Sequence, residues 1–434
     1  MLSDIIAAMQ FTSLADKDSL NSTGSARYTF TYQFATTSAP ADLPTSSTYD
    51  GWTALSAAEK AAVEEAMAHI ETFLNIDFVE VTGEADPDLN VGKVTLPGST
   101  AGFGGMSFSS FGSTISRYDA YVVYDNTIDL TLGQEALILH ELGHALGLKH
   151  PFSAPVVPAG TDSNKFTIMS YTDNPDTGAN AEVMMHYDIL GLQDIWGAAA
   201  FNEGNTTYTG PRGVAVDTVW DSGGTDTFSA AGRTNAVTLD LREGAFSRFG
   251  TIDDVVIAYG VGIENAVGGR GGDRLTGNDL ANTLKGALGA DAILAGLGAD
   301  VVRGGVGRDL LRGQGGNDRL NGDGGNDRLF GDLGRDVLKG AGGNDRLDGG
   351  KGNDTSTGGA GKDVFLFRAG GGKDKITDFQ NDTDTLKFIG LGTLAEVQGA
   401  AAKVGANVVF TFDTGDTLTL LDARLGQVLD DILV

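Results

Sequence analysis

Cysteine is absent from the chain, and this absence removes several kinds of chemistry. Disulfide bonds, thiol nucleophiles and cysteine-ligated zinc are all excluded. The cellular compartment stays open, because an exported protein can dispense with disulfides if another device stabilises its fold. Histidine is scarce as well, with 5 in 434 residues. Any clustering of histidines is therefore informative.

Basic residues are few compared with acidic ones. The chain has 30 Lys and Arg against 58 Asp and Glu, which gives a formal net charge of −28. Nucleic acids and anionic membrane surfaces require basic patches, so neither is predicted as a partner. The acidic excess is compatible with cationic substrates, or with carboxylates that are committed to metal ions.

Long apolar runs are also missing. No stretch of about 18 consecutive apolar residues occurs, so no transmembrane helix is predicted. The N-terminus, MLSDIIAAMQF, has no basic region, and its apolar stretch is too short for a signal peptide. If the protein is exported, we expect that it uses no cleaved N-terminal signal.

Residues 1–203 have the pattern of one α/β (α+β) domain. Aromatic and polar residues alternate from Tyr28 to Phe34, which predicts a half-buried strand. Ser56 and Glu59 form a capping box ahead of a helix with one apolar face. Further strands are predicted over 76–81, 90–95 and 120–124, and further helices over 131–147 and 181–196.

Glycine is in excess, and the excess is local. Of the 64 glycines, 30 lie between Val261 and Asp363. Before this tract, residues 201–213 are polar with Gly and Pro, which predicts a linker. The second domain is therefore predicted over 204–434.

The glycine-rich tract repeats every nine residues. Ten aspartates keep this spacing, and Asn282 occupies the one position where aspartate is missing. The ten are Asp273, Asp291, Asp300, Asp309, Asp318, Asp327, Asp336, Asp345, Asp354 and Asp363. An apolar residue follows two positions later in every repeat except the one with Ser356. A flexible Gly/Asp linker has no reason to keep such a register.

The spacing has a physical interpretation. Glycines permit turns with positive φ and close backbone approach, while the apolar residue points inward from a short strand. One nonapeptide cannot bury a core alone, so successive turns must stack. We expect the aspartates to align in rows on the outside, where a hard divalent cation held by carboxylates and turn carbonyls would remove their mutual repulsion. Asn282 and Ser356 are expected to weaken their coils.

Three of the five histidines lie within the stretch HELGHALGLKH. On a helix, His140 and His144 lie one turn apart on the same face. Gly147 allows a sharp turn that brings His150 back as a third nitrogen ligand. Three such ligands leave one tetrahedral position open, which is typical of catalytic zinc. Glu141 is rotated by about 100° from His140, where it can take a proton from a metal-bound water.

Several segments together resemble one protease family. HELGHALGLKHP resembles the zinc motif of metzincins, and TIMSY, residues 167–171, resembles their Met-turn. VWDSGGTDTFSAAG and IAYGVGIENAVGG, followed by the nonapeptides, are similar to the C-terminal domain of serralysins (M10B peptidases) with its calcium-binding RTX repeats. The resemblance covers nearly the whole chain. It implies an α/β metzincin domain with a twisted sheet and an active-site helix, followed by an all-β parallel β-roll.

The resemblance also implies roles for individual residues. One catalytic zinc ion would be bound by His140, His144 and His150. Glu141 would be the general base, and would then protonate the leaving amine. Tyr171 would be a further zinc ligand in the resting state, and would hydrogen-bond the oxyanion once substrate displaces it. Met169 would form an apolar floor beneath the metal.

For the second domain the resemblance implies several structural Ca²⁺ ions. The matching positions at its start are Asp221, Gly224, Asp226 and Glu264, in addition to the ten repeat aspartates. The terminal DDILV resembles an uncleaved export signal for a type I ABC transporter. These features predict a secreted, extracellular, monomeric zinc endopeptidase acting on proteins or peptides, with a proteinaceous inhibitor as a candidate partner.

The chain departs from the family pattern in three places. The segment 196–219 is short, so a calcium site there is expected to be absent. The loop that follows His150 differs in sequence from the family pattern, so the details of the family's substrate pocket are not carried over to this chain. Residues 1 to about 20 are either a short propeptide or part of the mature enzyme.

Some residues leave alternatives open. His69 and His186 are interpreted as ordinary core or surface histidines. Asp188 either supports the zinc site or makes a structural hydrogen bond. The stretch 101–108 either is an edge strand that pairs with substrate or has no such role.

Two other functions fit the sequence less well. A non-catalytic, calcium-dependent adhesion protein on an inactive protease scaffold is disfavoured, because the full catalytic set is present. An RTX toxin or lipase would require a pore-forming apolar region or a GxSxG motif, and the sequence has neither.

Overall fold

The computed structural model describes residues 2–40, 43, 49–211 and 216–434. The chain divides into two compact units. The first unit consists of Met1–Glu203, Pro211–Gly223 and Ile252–Val261. The second consists of Gly204–Gly210, Gly224–Thr251 and Gly262–Val434. Residues 212 and 213 of the predicted linker lie outside the described residues.

The secondary structure changes character along the chain. The helices of the described residues are α1 (Leu2–Met9), α2 (Ala57–Glu71), α3 (Glu135–Ala145), α4 (His186–Trp196), α5 (Leu394–Gly399) and α6 (Leu425–Val428). The strands before residue 130 are β1 (Tyr28–Phe34), β2 (Asp50–Thr53), β3 (Ile76–Glu80), β4 (Leu89–Thr95), β5 (Gly102–Phe111) and β6 (Thr114–Asp125).

The later strands are short and numerous. They are β7 (Thr207–Tyr208), β8 (Asp217–Val219), β9 (Thr227–Ser229), β10 (Thr238–Asp240), β11 (Phe246–Ser247), β12 (Val255–Ile257), β13 (Asn265–Val267), β14 (Arg274–Thr276), β15 (Thr283–Leu288), β16 (Ala292–Gly298), β17 (Val301–Val306), β18 (Leu310–Gly316), β19 (Arg319–Gly324), β20 (Arg328–Gly334), β21 (Val337–Gly342), β22 (Arg346–Asp348), β23 (Lys351–Gly352), β24 (Thr355–Ala360), β25 (Val364–Arg368), β26 (Lys373–Ile376), β27 (Thr385–Ile389), β28 (Ala401–Val404), β29 (Asn407–Thr411), β30 (Thr417–Leu420) and β31 (Ile432–Leu433). No helix among the described residues has both the length and the apolar composition needed to cross a bilayer.

The first unit is built on a mixed sheet with the order β3-β1-β4-β6-β5, and β2 also pairs with β4. Strand β1 pairs in parallel with β3 and β4, and β4 pairs in parallel with β6. Strand β5 runs antiparallel to β6 and forms an edge. Residues 118–125 of β6 are all buried, as expected for an inner strand of a mixed sheet that is covered on both faces. The predicted α/β class is confirmed, and β5 lies at an edge of the sheet, which was one of the two alternatives for residues 101–108.

An aromatic cluster joins the sheet to two helices. Trp196, at the end of α4, is fully buried, and its ring centroid lies 5.3 Å from that of Phe30 and 5.0 Å from that of Tyr118. Edge-to-face ring pairs of this kind each contribute about 0.5–1.5 kcal/mol beyond their burial. Trp196 Nε1 also donates to Leu146 O at 2.9 Å. The cluster thereby fixes the turn that follows α3.

The second unit is a roll in which consecutive nonapeptides alternate between two sheets. The first sheet runs β10-β14-β16-β18-β20-β22-β25-β27-β31, and the second runs from β28 through β24, β21, β19, β17 and β15 to β7. Leu311 pairs with Leu329 in one sheet and Leu320 with Leu338 in the other. Partners therefore stand 18 residues apart, so one coil contains two nonapeptides. The parallel β-roll that the resemblance implied is confirmed.

The core of the roll is made by the apolar repeat positions. They are at most 3% exposed and comprise Leu275, Leu284, Ile293, Val302, Leu311, Leu320, Leu329, Leu338, Leu347 and Phe365. Ser356 interrupts this series. Ser356 and the larger Phe365 both line one small cavity. The weakening predicted for this coil stays a prediction.

Candidate functional site

Helix α3 carries the first two histidines and begins later than predicted. Thr131 does not cap it, because its hydroxyl donates to Asp129 Oδ1 at 2.6 Å. Gly133 has φ +65°, and the helix starts at Glu135 with Gln134 as its N-cap. At the other end Gly147 has φ +114°, a backbone conformation that favours glycine. The turn at Gly147 sends the chain back toward the helix, as predicted.

The three histidines converge on one point. His150 Nε2 lies 3.3 Å from His140 Nε2 and 3.1 Å from His144 Nε2. Within the described part of the chain, these three histidines form a candidate metal-binding group, and their ligand atoms all lie within 4.8 Å of one another. Side chains that offer three nitrogens to a single position match the donor set of catalytic zinc.

Hydrogen bonds orient the two helical imidazoles. His140 Nδ1 lies 2.9 Å from Ile168 O, and His144 Nδ1 lies 2.8 Å from Leu148 O. A carbonyl oxygen can only accept, so each Nδ1 carries the proton and each Nε2 presents a lone pair. Burial lowers the pKa of His144 to about 3 and that of His150 to about 4. Both rings are therefore neutral at pH 7, which is the form that binds a metal.

Glu141 lies beside the histidines, against strand β5. Its carboxylate accepts a hydrogen bond from Gly104 N–H, and burial raises its pKa to about 7. A Cβ at Gly104 would lie 2.1 Å from Glu141 O, and one at Gly102 would lie 2.9 Å from Glu141 Cγ. Glycine at these positions allows the strand to pack directly on the helix. The close packing of β5 on α3 therefore explains why glycine occupies positions 102 and 104.

The Met-turn lies beneath and beside the histidines. Met169 is fully buried, and a Cβ at Gly143 would lie 2.8 Å from its sulfur. Tyr171 is 70% exposed, and its ring centroid lies 4.6 Å from that of His150. The Tyr171 ring also stacks on His140 at 5.7 Å. The structure therefore brings both predicted residues to the histidine cluster.

Asp188 acts on the cluster through the backbone. Its Oδ1 accepts from Thr167 Oγ1 at 2.6 Å, and its Oδ2 accepts from Ile168 N and Met185 N at 2.8 Å each. No imidazole is among these partners. Ile168 is the residue whose carbonyl holds His140, so Asp188 makes structural hydrogen bonds that position a histidine.

We expect Asp188→Asn to weaken zinc binding by about 10–100-fold. The amide cannot accept from all three donors, so the Ile168 peptide would shift and His140 would lose its orientation. Zinc affinity would be measured by competition with a chromogenic chelator, after circular dichroism has shown native secondary structure. Asp194→Asn, on the same helix and away from Ile168, is the control. Equal affinities in the two variants would contradict this role.

The N-terminal residues form part of the same unit. The ring of Phe11 lies 6.1 Å from that of His144, and Phe11 N donates to Gly147 O at 3.0 Å. Lys149 Nζ donates to Ala8 O at 2.5 Å. Ile5, Ala8 and Met9 of α1 are buried. Residues 1 to about 20 were predicted to be either a propeptide or part of the mature enzyme. Helix α1, which lies within them, packs beside the site.

A cleft of about 690 Å³ surrounds the histidines and Glu141. Residues 102–106 of the edge strand β5 form one wall, and Phe11, Lys149 and Tyr171 contribute to the others. An edge strand can add an extended peptide by backbone hydrogen bonds. His69 and His186 are not among the cleft residues, in keeping with their interpretation as ordinary histidines.

The repeat aspartates of the second unit are buried, which corrects the expectation that they lie outside. Each of the ten is at most 2% exposed. Each side chain lies between coils, where Oδ1 accepts the backbone N–H of the residue one coil earlier, as Asp291 does from Asp273 at 2.7 Å and Asp327 from Asp309 at 2.8 Å. The carboxylates thereby form a ladder along the roll.

The second oxygen of most of these carboxylates has no hydrogen-bond partner. Buried, unpartnered Oδ2 atoms occur in Asp291, Asp300, Asp309, Asp318, Asp327, Asp336, Asp345, Asp354 and Asp363. Burial raises the pKa of Asp327 and Asp336 to about 7. A buried anionic oxygen without a donor is costly, and hard cations are its usual partners.

Two positions at the start of the ladder differ. Asp273 accepts from Val237 N and from Gly269 N, so both of its oxygens are hydrogen-bonded. Asn282 accepts from Asn278 N at 2.9 Å and donates to Glu264 O at 3.2 Å. The amide of Asn282 is therefore satisfied without a cation.

Two further aspartates continue the ladder and were not predicted. Asp374 Oδ1 accepts from Asp354 N at 2.9 Å, and Asp384 Oδ1 accepts from Asp363 N at 3.0 Å. The steps are 20 and 21 residues, because insertions break the period of 18. A search for aspartate before each later strand, without a fixed period, could have found them.

The four predicted calcium positions at the start of the second domain are placed as follows. Asp221, in the first unit, is buried, and its Oδ1 accepts from Gly223 N at 3.1 Å. In the second unit Glu264 Oε2 accepts from Asp226 N at 2.7 Å. Gly224 has φ +117° and packs on Gly204. Their role as calcium ligands stays a prediction.

Comparison with curated proteins gives several relatives. Serralysin from Photorhabdus laumondii subsp. laumondii is 32% identical over 269 residues, covering 54% of this chain and 56% of that protein. Metallopeptidase AprA from Pseudomonas marginalis is 29% identical over 306 residues, covering 60% and 62%. Serralysin from Proteus mirabilis is 38% identical over 176 residues, covering 34% and 36%. The matches to the first two span a little over half of those proteins.

Residues 205–434 match the family model described as the peptidase M10 serralysin C terminal. This region contains the nonapeptide tract and the roll built from it. The match covers more than half of the chain, in agreement with the resemblance seen in the sequence. The chain belongs to the peptidase M10 serralysin family.

Proposed function

We propose that the chain is a secreted, calcium-stabilised zinc endopeptidase that cleaves protein substrates with Glu141 as general base. The observation that carries this proposal is the convergence of the three Nε2 atoms next to a buried carboxylate. The names of the relatives, serralysin and metallopeptidase, support it. The donor set and the neutral imidazoles fit zinc.

A bound zinc ion would supply Lewis acidity and would lower the pKa of a water molecule. Glu141, with its pKa near 7, is suited to take up a proton at that pH and to release it to a leaving amine. The pKa of Tyr171 is raised by partial desolvation and by the charge of Glu141, so its phenol stays protonated and can donate to an oxyanion. Strand β5 would hold the substrate backbone extended across the cleft.

The test is zinc content together with hydrolysis of an unfolded protein, both at saturating calcium. We expect one zinc per wild-type chain, and loss of both zinc and activity in His144→Ala. His69→Ala, which removes a histidine from α2, should retain both. A folded, zinc-loaded wild-type protein without activity would contradict the proposal and would favour a calcium-dependent binding protein.

We also propose that the carboxylates of the ladder bind Ca²⁺. The support is the row of buried Oδ2 atoms that have no hydrogen-bond partner. The same cations would screen the repulsion between neighbouring coils. Asp221, Gly224, Asp226 and Glu264 remain further candidates from the resemblance.

Asp327→Asn should raise the calcium concentration that the roll needs for folding by on the order of tenfold. The substitution removes one anionic ligand and places an amide in a buried row of carboxylates. The measurement is a calcium titration followed by far-UV circular dichroism. Asp279→Asn, which removes an exposed carboxylate from the same unit, should leave the midpoint in place. If both variants show the same midpoint, the ladder does not bind calcium at Asp327.

Export through a type I transporter is proposed from the terminal DDILV. In the folded chain Ile432 pairs with Leu386 of β27, so this segment is part of a sheet. An exporter that reads it would need the segment unpaired. This requirement is compatible with a roll that folds only where calcium is abundant.

A further inference from the structure

A cleft of about 400 Å³ lies on the second unit, separate from the histidine cleft. Arg312, Phe330 and Asp348 stand next to one another on β18, β20 and β22, each one coil from the next. Their neighbours Leu311 and Leu329 point into the core, so these three side chains project from the outer face. The volume is in the range of about 300–1,000 Å³ that is usual for small-ligand sites.

Two cations in this cleft have unused hydrogen-bond donors. Arg312 lies over the ring of Phe330 at 5.0 Å, and its nearest carboxylate oxygen, Asp332 Oδ2, is 3.8 Å from its Nε. That distance is too long for a hydrogen bond. Lys351 lines the same cleft. Within the part of the chain that the structure describes, Lys351 makes no ion pair.

The third cation is already committed. Arg368 donates to Asp348 Oδ2 from Nε at 3.0 Å and from an Nη at 2.8 Å. The lining thus has three basic side chains against two carboxylates, in a chain whose net charge is −28. A ligand with a single negative charge would neutralise this excess of one positive charge in the lining. A dianion such as phosphate would meet repulsion from Asp332 and Asp348.

We propose that this cleft binds the C-terminal carboxylate of a peptide, together with the apolar side chain that accompanies it. The planar guanidinium of Arg312 matches a carboxylate in shape and donor direction. Its stacking on Phe330 orients it before binding, which lowers the entropic cost. Phe330 and the 55%-exposed Leu333 provide an apolar surface for the accompanying side chain. The site does not depend on peptidase activity.

The test uses the full chain with calcium and two probes that differ only in charge, N-acetylphenylalanine and its amide. The Leu333 methyl groups report binding to this cleft by ¹³C-methyl NMR, assigned by their loss in Leu333→Ala. We expect a saturable shift with the carboxylate, and binding of the amide that is weaker by at least about tenfold, the usual order for a lost charge-assisted contact. Equal binding of the two probes would overturn the proposal.

Arg312→Gln should weaken carboxylate binding by a similar factor. Arg303→Gln, which removes an exposed arginine from β17 outside the cleft, should bind like the wild type. An unchanged calcium midpoint for folding shows that either variant retains the roll. No difference between the two variants would overturn the proposal, and so would binding of inorganic phosphate that is tighter than that of the carboxylate.

Discussion

Glu141→Gln is expected to reduce hydrolysis of an unfolded protein by about 10²–10⁴-fold while zinc remains bound. The amide has nearly the same shape and can occupy the same place beside β5, but it cannot take up a proton. The carboxylate it replaces has a pKa raised to about 7 by burial. Initial rates at equal zinc and calcium occupancy would measure the loss.

Glu135→Gln is the matched control for this variant. Glu135 lies in the first turn of the same helix, away from the histidine cleft. The Glu135→Gln substitution removes the same charge from α3, so any general effect of charge on the helix would appear in both variants. We expect its activity to be close to wild type. If Glu141→Gln retained wild-type activity, or if both variants lost activity equally, Glu141 would not be the base.

Gly325→Ala is expected to destabilise the second unit by more than about 4 kcal/mol, or to prevent its folding. A Cβ at this position would lie 1.4 Å from Gly307 O, one coil earlier. Gly325 also has φ +146°, a conformation that L side chains rarely adopt. The clash is with backbone, so no side-chain rotation can relieve it. Thermal unfolding in saturating calcium would show the loss.

Gly399→Ala provides the comparison within the same unit. Gly399 ends α5, and a Cβ there would have no atom within 4 Å. An alanine at this position should leave the unfolding temperature nearly unchanged. A roll that tolerates alanine at residue 325 as well as at residue 399 would show that its coils are not packed as closely as described.

The histidine cluster could be predicted from local spacing alone. His140 and His144 are brought together by one helical turn, and Gly147 requires only a short return to place His150. The nine-residue period was equally predictable from the repeats, whereas the β-roll that stacks them was implied by the resemblance to RTX repeats. Both features depend on interactions between residues that are close in sequence or regularly spaced.

Features that depend on distant contacts could not be predicted in this way. The aspartates were expected on the outside of the roll because like charges repel one another. In the structure their carboxylate oxygens accept hydrogen bonds from backbone N–H groups of the neighbouring coil, and the sequence pattern does not reveal these contacts. Phe11 reaches His144 only through the docking of α1, more than a hundred residues away in sequence. The role of Asp188 likewise depends on the Ile168 peptide, which no sequence pattern connects to His140.

The aspartate ladder gives the roll a direction. In every step the donor is on the earlier coil and the acceptor on the later one, and the last donors, Asp354 and Asp363, are received by Asp374 and Asp384. Removal of the last coils would therefore leave the N–H groups of the preceding aspartates without their carboxylate acceptors, whereas removal of the first coils would leave the next carboxylates without these donors. The segments that carry Asp374 and Asp384 therefore act as a cap on the stack, so we expect order in the roll to spread from this cap toward the N-terminus and to be lost last at the cap.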